Sequence, residues 1–198
     1  GRSLKAFVAH ELRMGLTLDI AIGVDDDQLS RLALIDAPSG MHSAGIASAT
    51  PAQIAALSNP DLDPRLPNTE GWRGADIPSA NGVSNARALA DLYSRLLATS
   101  ANPLITPTTV AAATVERISG VDMVTTLPMR WAAAFALNKD GRFGPNENAF
   151  GHGGWGGSYG FADPTAQVAM SYTMNRMSDL PKANPCGEAL VAALYNCL

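Results

Sequence analysis

The chain has 198 residues, of which 46% are apolar and 16% charged, and this composition is typical of a globular protein long enough to bury a core. Its formal net charge is −4 and its 14 Lys and Arg residues are scattered, which argues against nucleic acid as a partner. The longest apolar runs, such as residues 131–137, fall far short of the ~20 residues that a membrane-spanning helix needs, so we expect no membrane span.

The first residues of the chain show helical periodicity. The apolar residues that share one predicted helical face are Leu4, Phe7, Val8 and Leu12. Ser3 is the expected N-cap of this helix, and Gly15 is its expected C-terminal cap. Residues 25–78 then contain repeated prolines and polar turns, which predict a long irregular excursion with one short helix near residues 51–57.

Two further helices are predicted after this excursion. Residues 84–97 predict an amphipathic helix with Ser84 as its N-cap and a leucine-rich apolar face. Residues 106–118 predict a second helix, because Pro107 stands at an N-terminal position where its missing N–H does no harm. Two successive helices favour a helical subdomain, of which residues 1–120 would form part.

After Gly120, short apolar runs alternate with turns, a pattern typical of an antiparallel meander. Residues 185–198 predict a final helix that lies across this sheet. The expected apolar face of that helix consists of Ala189, Leu190, Ala193 and Leu194. The predicted fold class is therefore α+β, with residues 121–198 forming the C-terminal part of an α/β domain.

Two cysteines, Cys186 and Cys197, fall within the predicted final helix. At about 1.5 Å per residue they would lie roughly 16 Å apart, too far for a disulfide, so we expect buried or free thiols. The three histidines, at positions 10, 42 and 152, are far apart in the sequence and offer no metal-ligand spacing. The sequence thus predicts neither a metal nor an organic cofactor.

Glycine is most frequent between Gly151 and Gly160, where it occupies six of ten positions within a predicted strand context. Glycine normally weakens a strand, so this density indicates that something approaches the main chain closely. The alternative is a glycine-rich hairpin that serves packing alone, with His152 in a structural role.

Residues 156–160 also fit the GxSxG pattern of the α/β-hydrolase nucleophile elbow, with Ser158 as the nucleophile. That elbow needs a helix after the serine, whereas the following residues predict a turn and another strand. The order of serine, acid and histidine also requires a downstream histidine, and none follows His152. We therefore rank an α/β-hydrolase last, and expect the Ser158 hydroxyl to line a pocket or to satisfy a main-chain group.

The chain carries, in order, the segments GRSLKAFVAHEL, GLTLDIAIG, ADIPSANGVSNARALADLY and FGHGGWGGSYGFADPTAQVAMSYTMNRM. In order and rough spacing these segments resemble the second half of serine β-lactamases and penicillin-binding proteins, and among them the esterase-type members called family VIII carboxylesterases. The resemblance covers essentially the whole chain. It implies a β-lactamase/transpeptidase-like fold.

Enzymes of this family use three motifs, of which only the third is matched, by His152, Gly153 and Gly154. No serine has Lys three residues later, and no tyrosine has Asn two residues later. Residues 79–81 fit the Ser-x-Asn form of the second motif, but their surroundings match a later segment of the family. The resemblance therefore implies a C-terminal half, with the nucleophile half missing.

The resemblance also implies roles for individual residues. The expected catalytic residues are His152 and Trp155, the latter through its main-chain N–H as half of an oxyanion hole. The expected substrate-binding residues are Gly153, Gly154, Ser158 and Tyr159, since glycines let an acyl group lie against the strand. Weaker candidates for the pocket rim are Trp72, Arg73 and Asp76.

The implied function is that of a serine hydrolase that attacks an ester or amide carbonyl and passes through an acyl-enzyme. His152 stands where β-lactamases and peptidases usually keep a charged Lys, and a largely uncharged histidine favours a carboxylesterase for small neutral esters. The expected partners are the substrate and the missing N-terminal half, and this chain alone is predicted to be inactive. The alternatives are a β-lactamase or D-alanyl peptidase, and a non-catalytic binding or structural module of the same fold.

Overall fold

The structure is a computed structural model that describes residues 1–38, 49–58, 63–178 and 184–198. Within these residues, short helices dominate the first part of the chain, and a six-stranded antiparallel sheet with a final helix forms the second. The predicted α+β class is therefore confirmed. The first strand of the large sheet begins at Ile118. The division into two domains at residue 120 stays a prediction.

The N-terminal segment begins as predicted and then changes its helical geometry. Helix α1 spans Leu4–Val8 and is capped by Ser3, whose Oγ accepts a 3.2 Å hydrogen bond from the N–H of Ala6. The chain continues through Ala9–Met14 as a π-helix, which the sequence did not predict. Gly15 follows as the C-terminal cap, at the predicted position.

The apolar face of this helical segment is only partly buried. Leu4 and Phe7, two of the four residues on the predicted face, are exposed. A small core beneath the segment is formed by Val8, Leu18, Ile20 and Ala88. Beside it, strands β1 (Ile20–Ile22) and β2 (Gly82–Ser84) pair in antiparallel orientation as a separate two-stranded sheet.

The long connection from β1 to β2 contains only short helices in the residues that the structure describes. Helix α2 spans Pro51–Leu57, which confirms the predicted short helix, and the Thr50 hydroxyl caps it. Helix α3 spans Glu70–Gly74. Two segments of 3-10 helix, Asp26–Arg31 and Leu66–Asn68, also lie in this connection. The connection thus has the irregular character that its prolines predicted.

Two more helices follow, and both end earlier than predicted. Helix α4 spans Ala86–Ser94 and is capped by Asn85 rather than Ser84, because Ser84 is already the last residue of β2. Helix α5 spans Pro107–Ala113, with Thr106 as its N-cap. The residues up to 118 that were expected to extend α5 lead instead into the large sheet.

The large sheet is a meander, in which each strand pairs with the next one along the chain, as predicted. Its strands are β3 (Ile118–Val121), β4 (Pro128–Trp131), β5 (Ala136–Leu137), β6 (Phe150–Gly153), β7 (Tyr159–Asp163) and β8 (Val168–Tyr172). Helix α4 packs against β7 and β8. The core on the α4 face includes Phe150 and Ala162, and the core on the opposite face includes Phe143 and Phe161.

Helix α6 spans Pro185–Tyr195 and covers the second of these faces, but of the four predicted residues only Leu194 packs against the core there. The other three predicted residues are wrong, because Leu190 is 48% exposed and Ala189 and Ala193 are exposed as well. The buried residues are Gly187 and Val191, which lie one helical turn apart. The helix is apolar on several sides, so packing rather than periodicity selects the side that is buried.

Candidate active site

The glycine-rich segment forms the hairpin between β6 and β7. Four residue pairs join the two strands, and the last of them places Gly153 opposite Tyr159. A 2.6 Å hydrogen bond from the N–H of Gly154 to the carbonyl oxygen of Ser158 closes the connecting turn. The predicted strand therefore ends before Trp155, which lies in the turn.

Four of the six glycines in this hairpin are explained by packing or by backbone conformation. A Cβ on Gly151 would lie 2.3 Å from the carbonyl oxygen of Gly160, and a Cβ on Gly160 would lie 2.5 Å from Cε2 of Tyr93. Gly156 and Gly157 have φ angles of 88° and 103°, a region that favours glycine. For these four positions, the packing interpretation of the glycine-rich segment is sufficient.

Gly153 and Gly154 need a different explanation. A Cβ on Gly153 would meet its nearest neighbour beyond the adjoining residues only at 3.9 Å, and one on Gly154 at 3.6 Å, which are ordinary contact distances. Both residues are exposed. Their missing side chains therefore leave open space beside the main chain rather than relieve a clash. Substrate binding by these two glycines stays a prediction.

The N–H of Trp155 adds a hydrogen-bond donor to this surface. The Trp155 residue is 43% exposed, and within the part of the chain that the structure describes its N–H has no protein acceptor. The turn around it is fixed, because the Gly157 N–H donates to the Gly154 carbonyl at 3.1 Å. A main-chain donor held in this way can stabilise a negative charge that develops on a bound carbonyl oxygen. We call residues 152–155 the β6 end.

His152 projects from the β6 end towards the α4 face of the sheet. It lies directly opposite Gly160, and residues opposite each other in an antiparallel pair share a face, which here is the face of Tyr93 in α4. Burial raises the pKa of Tyr93 to about 12, against the opposing effect of a hydrogen bond from the main-chain N–H of His152. The imidazole also packs near the indole of Trp131, with ring centroids 5.6 Å apart.

Ser158 does not have the surroundings of a nucleophile elbow. Its Oγ accepts a 3.0 Å hydrogen bond from the N–H of Met174, which is one of the two roles expected for it. The next residues, Tyr159–Asp163, form strand β7, whereas an elbow continues into a helix. This geometry argues against the α/β-hydrolase alternative. Substrate binding by Ser158 stays a prediction.

The side chain of Tyr159 lies on the opposite face of the sheet from that of His152. Its ring stacks on Phe161 with centroids 6.3 Å apart, and its hydroxyl donates a 2.6 Å hydrogen bond to the Gly187 carbonyl. Burial is the main cause that raises the pKa of Tyr159 to about 12. The structure thus brings the residues of the β6 end together and directs Tyr159 towards α6, so its expected substrate contact stays a prediction.

The Ser-x-Asn segment of residues 79–81 has a structural explanation. Asn81 is buried, and its Nδ2 donates to the carbonyl oxygens of Trp72 at 2.8 Å and Ala75 at 2.6 Å. Its Oδ1 accepts a 3.2 Å hydrogen bond from the N–H of Ile77. The amide therefore fixes the loop before β2 and has no free group for catalysis.

The other rim candidates also contact nearby loops. Arg73 donates to the Pro67 carbonyl oxygen at 3.0 Å and to Oδ1 of Asn68 at 3.2 Å. Asp76 accepts a 3.2 Å hydrogen bond from the N–H of Lys5. A place for these residues at the rim of a substrate pocket stays a prediction.

A cavity of about 770 Å³ lies between the β6–β7 turn, helix α6 and the loop of residues 139–145. Gly153 and Gly154 border it, so the β6 end is open on this side as well. Its charged lining includes Arg142 and Glu188. Burial lowers the pKa of Arg142, and the charges of Asp140 and Glu188 oppose that effect.

Among the described residues, no three His, Cys, Asp or Glu side chains are grouped so that they could hold a metal ion. Cys186 and Cys197 are both free and exposed, so their thiols are not buried. In the same part of the chain, every helix is too short or too polar to cross a bilayer.

Comparisons with known proteins assign the family. The family model described as Beta-lactamase matches residues 30–195. Among solved structures, a family VIII carboxylesterase is 33% identical, with a TM-score of 0.89 over 100% of this chain and 52% of its own. A penicillin-binding-protein homologue from Caulobacter crescentus is 37% identical, with a TM-score of 0.88 over 100% of this chain and 53% of its own.

A third structure, EstA from Arthrobacter nitroguajacolicus Rue61a, shares the fold at 23% identity, with a TM-score of 0.83 over 99% of this chain and 54% of its own. None of the curated protein sequences matches the chain significantly. The chain thus spans about half the length of the solved structures that it matches. The matched family model and these identities show that the chain belongs to the beta-lactamase family, which includes penicillin-binding-protein-like and esterase-type relatives.

Proposed function

We propose that this chain is part of a serine hydrolase that acts on small neutral carboxylic esters. The main support is the β6 end, where two open glycines adjoin the unpartnered N–H of Trp155 at the surface of the described residues. A carbonyl group lying along Gly153 and Gly154 can direct its oxygen to that N–H. Similarity to a family VIII carboxylesterase supports an ester as the substrate.

In the proposed reaction, a serine Oγ attacks the ester carbonyl carbon, and the electrons of the C=O bond move onto the oxygen. The Trp155 N–H stabilises this oxyanion, and the N–H of the attacking serine completes the hole. The alcohol then leaves with the proton taken from the serine, which leaves an acyl-enzyme that water hydrolyses by the same steps. The serine and the Lys and Tyr that activate it would lie outside these 198 residues.

The side chain of His152 supports the choice of a neutral substrate. A permanently charged Lys at this position would pair with a substrate carboxylate, whereas histidine offers no permanent charge. An ester without an acid group therefore fits the β6 end better than a carboxylated β-lactam. We expect turnover of p-nitrophenyl butyrate to exceed that of the cephalosporin nitrocefin.

The test compares Trp155→Ala with Trp155→Pro in the protein encoded by the complete reading frame that contains this sequence. Alanine keeps the main-chain N–H, and proline removes it. We expect turnover of p-nitrophenyl butyrate to fall only about threefold in the first variant and about 100-fold in the second. Circular dichroism and Tm show whether both remain folded. Equal losses in two folded variants would contradict the main-chain role.

A second assay addresses the 198-residue chain alone. We expect no turnover, because no serine in it has Lys three residues later. Turnover by this chain that survives His152→Ala would overturn the proposal. If the complete protein hydrolyses no acyl ester or β-lactam, the non-catalytic module of the same fold becomes the better interpretation.

A further inference from the structure

His152 is held at the β6 end by a ring contact rather than by side-chain hydrogen bonds. The planes of its imidazole and of the Trp131 indole are inclined by 36°, with centroids 5.6 Å apart. Within the described ranges of the chain, neither imidazole nitrogen has a hydrogen-bond partner. His152 is exposed, so both nitrogens are free to meet a bound molecule while the ring rests against the indole.

Trp131 is fixed by its main chain and by its indole. As the last residue of β4 it pairs with Ile118 on one side and Ala136 on the other. Its carbonyl oxygen accepts a 2.8 Å hydrogen bond from the N–H of Arg117. Its indole lies near the carboxylate of Asp122, and this interaction is the smallest of the causes that lower the pKa of that carboxyl. Rotation of the indole would lose this interaction.

Asp122 is held in turn by the loop between β3 and β4. Its Oδ1 accepts hydrogen bonds from the N–H groups of Thr125 at 2.7 Å and Val124 at 3.0 Å, and from the Thr125 hydroxyl at 3.0 Å. The Thr125 N–H is the largest of the causes that hold the pKa of Asp122 below its ordinary value. The carboxylate thus gives Trp131 a rigid, ionised acceptor.

We propose that Trp131, oriented by Asp122, positions the imidazole of His152 to contact the oxygen atoms of an ester bound at the β6 end. This inference rests on the proposed function. Trp131 restrains the ring without occupying its nitrogens, which stay free for the oxygen atoms of the ester. Trp131 is therefore a positioning residue, and its effect on the reaction passes through His152.

The kinetic test is a double-mutant cycle in the protein of the complete reading frame. Trp131→Leu removes the indole, and we expect it to lower kcat/KM for p-nitrophenyl butyrate about tenfold, mainly through kcat, because the ring it restrains is misplaced. In a His152→Ala background, the same change should have little further effect. Trp131→Phe keeps an aromatic ring but loses the interaction with Asp122, so its kcat/KM should lie between those of the unmodified protein and Trp131→Leu.

A second readout does not depend on activity. The imidazole proton resonances of His152, identified by their absence in His152→Ala, should move in Trp131→Leu because the ring current of the nearby indole is lost, while the other histidine resonances stay in place. If Trp131→Leu does not fold, Trp131→Phe serves in both measurements.

The outcomes separate this inference from the proposed function. Unmoved His152 resonances would overturn the inference whatever the activity. Equal kinetic losses with and without His152 would overturn it even where the resonances move, since Trp131 would then act on stability alone. A complete protein that hydrolyses no acyl ester would overturn the proposed function and with it the positioning role, while the resonances would still report the ring contact.

Discussion

The hydroxyl of Tyr159 donates a 2.6 Å hydrogen bond to the carbonyl oxygen of Gly187, and this bond joins β7 to helix α6. Gly187 is buried, and a Cβ at this position would lie 2.6 Å from Cε1 of the same tyrosine ring. Strand and helix thus meet through one polar and one steric contact. Because Tyr159 also pairs with Gly153, this contact supports the strand that stands beside the β6 end.

We expect Tyr159→Phe to destabilise the protein by about 1–2 kcal/mol, because the buried carbonyl of Gly187 loses its hydrogen-bond donor. Urea unfolding measures this change. The control is Tyr172→Phe, which loses only a weak bond to the Cys186 thiol and should cost about 0.5 kcal/mol or less. A large loss of esterase activity at unchanged stability would instead show that the Tyr159 hydroxyl contacts the substrate.

Two glycines of the same strand should respond differently to alanine. Gly151→Ala places a Cβ 2.3 Å from a main-chain oxygen and should cost about 3 kcal/mol or more. Gly153→Ala meets no close neighbour and should leave Tm nearly unchanged, yet it should lower kcat/KM for p-nitrophenyl butyrate because the methyl group occupies the open surface. Full activity of folded Gly153→Ala would argue against an acyl group bound along this strand.

The buried side of α6 can be tested with two neighbouring residues. Val191 belongs to the core beneath the helix, and Val191→Ala should cost about 2 kcal/mol of unfolding free energy. Leu190→Ala should change the unfolding free energy by no more than about 0.5 kcal/mol, because this side chain is 48% exposed. A larger loss of unfolding free energy in Leu190→Ala than in Val191→Ala would show that α6 packs through the face predicted from the sequence.

Stability should fall in alkaline solution. Burial raises the pKa of Tyr93 and Tyr159 to about 12, and burial together with a hydrogen bond to Asp163 raises the pKa of Tyr195. A tyrosine in the unfolded chain ionises near pH ~10, so the stability that these phenols contribute is complete below that pH and is lost as the pH rises towards ~12.

Urea unfolding at about pH 8 and about pH 11 measures this loss, and Tyr195→Phe should make the decline shallower. Asp163, whose carboxylate accepts from the Tyr195 hydroxyl, is fully buried, so this bond is shielded from water. An unfolding free energy that stays constant over this range would contradict the assigned burial of the three phenols.

Features encoded by neighbouring residues were predictable. The N-cap at Ser3 and the short helix α2 follow from residues within a few positions of each other, and the meander follows from short apolar runs between turns. The N-cap of α4 was misplaced by one residue because Ser84 and Asn85 are both good capping residues, and only the pairing of β2 decides between them.

Features set by distant contacts were not predictable. The buried side of α6 depends on the sheet beneath it, since the helix offers apolar residues on several sides. Glycine density located the β6 end, but only the space around each glycine separates those needed for packing from those that leave an open surface. The contact between Trp131 and His152 joins residues of β4 and β6, and no spacing in the sequence relates them.

The donor at position 155 is a peptide group, so its chemistry is independent of the side chain attached to it. Alanine scanning, which deletes side chains and keeps every amide, would register only the loss of the indole and would not reveal the role of the amide. Under the proposed function, nineteen of the twenty amino acids supply the same donor at this position, and only proline lacks it. The side chain at position 155 can therefore be changed to fit a substrate of another shape while the main-chain donor is kept.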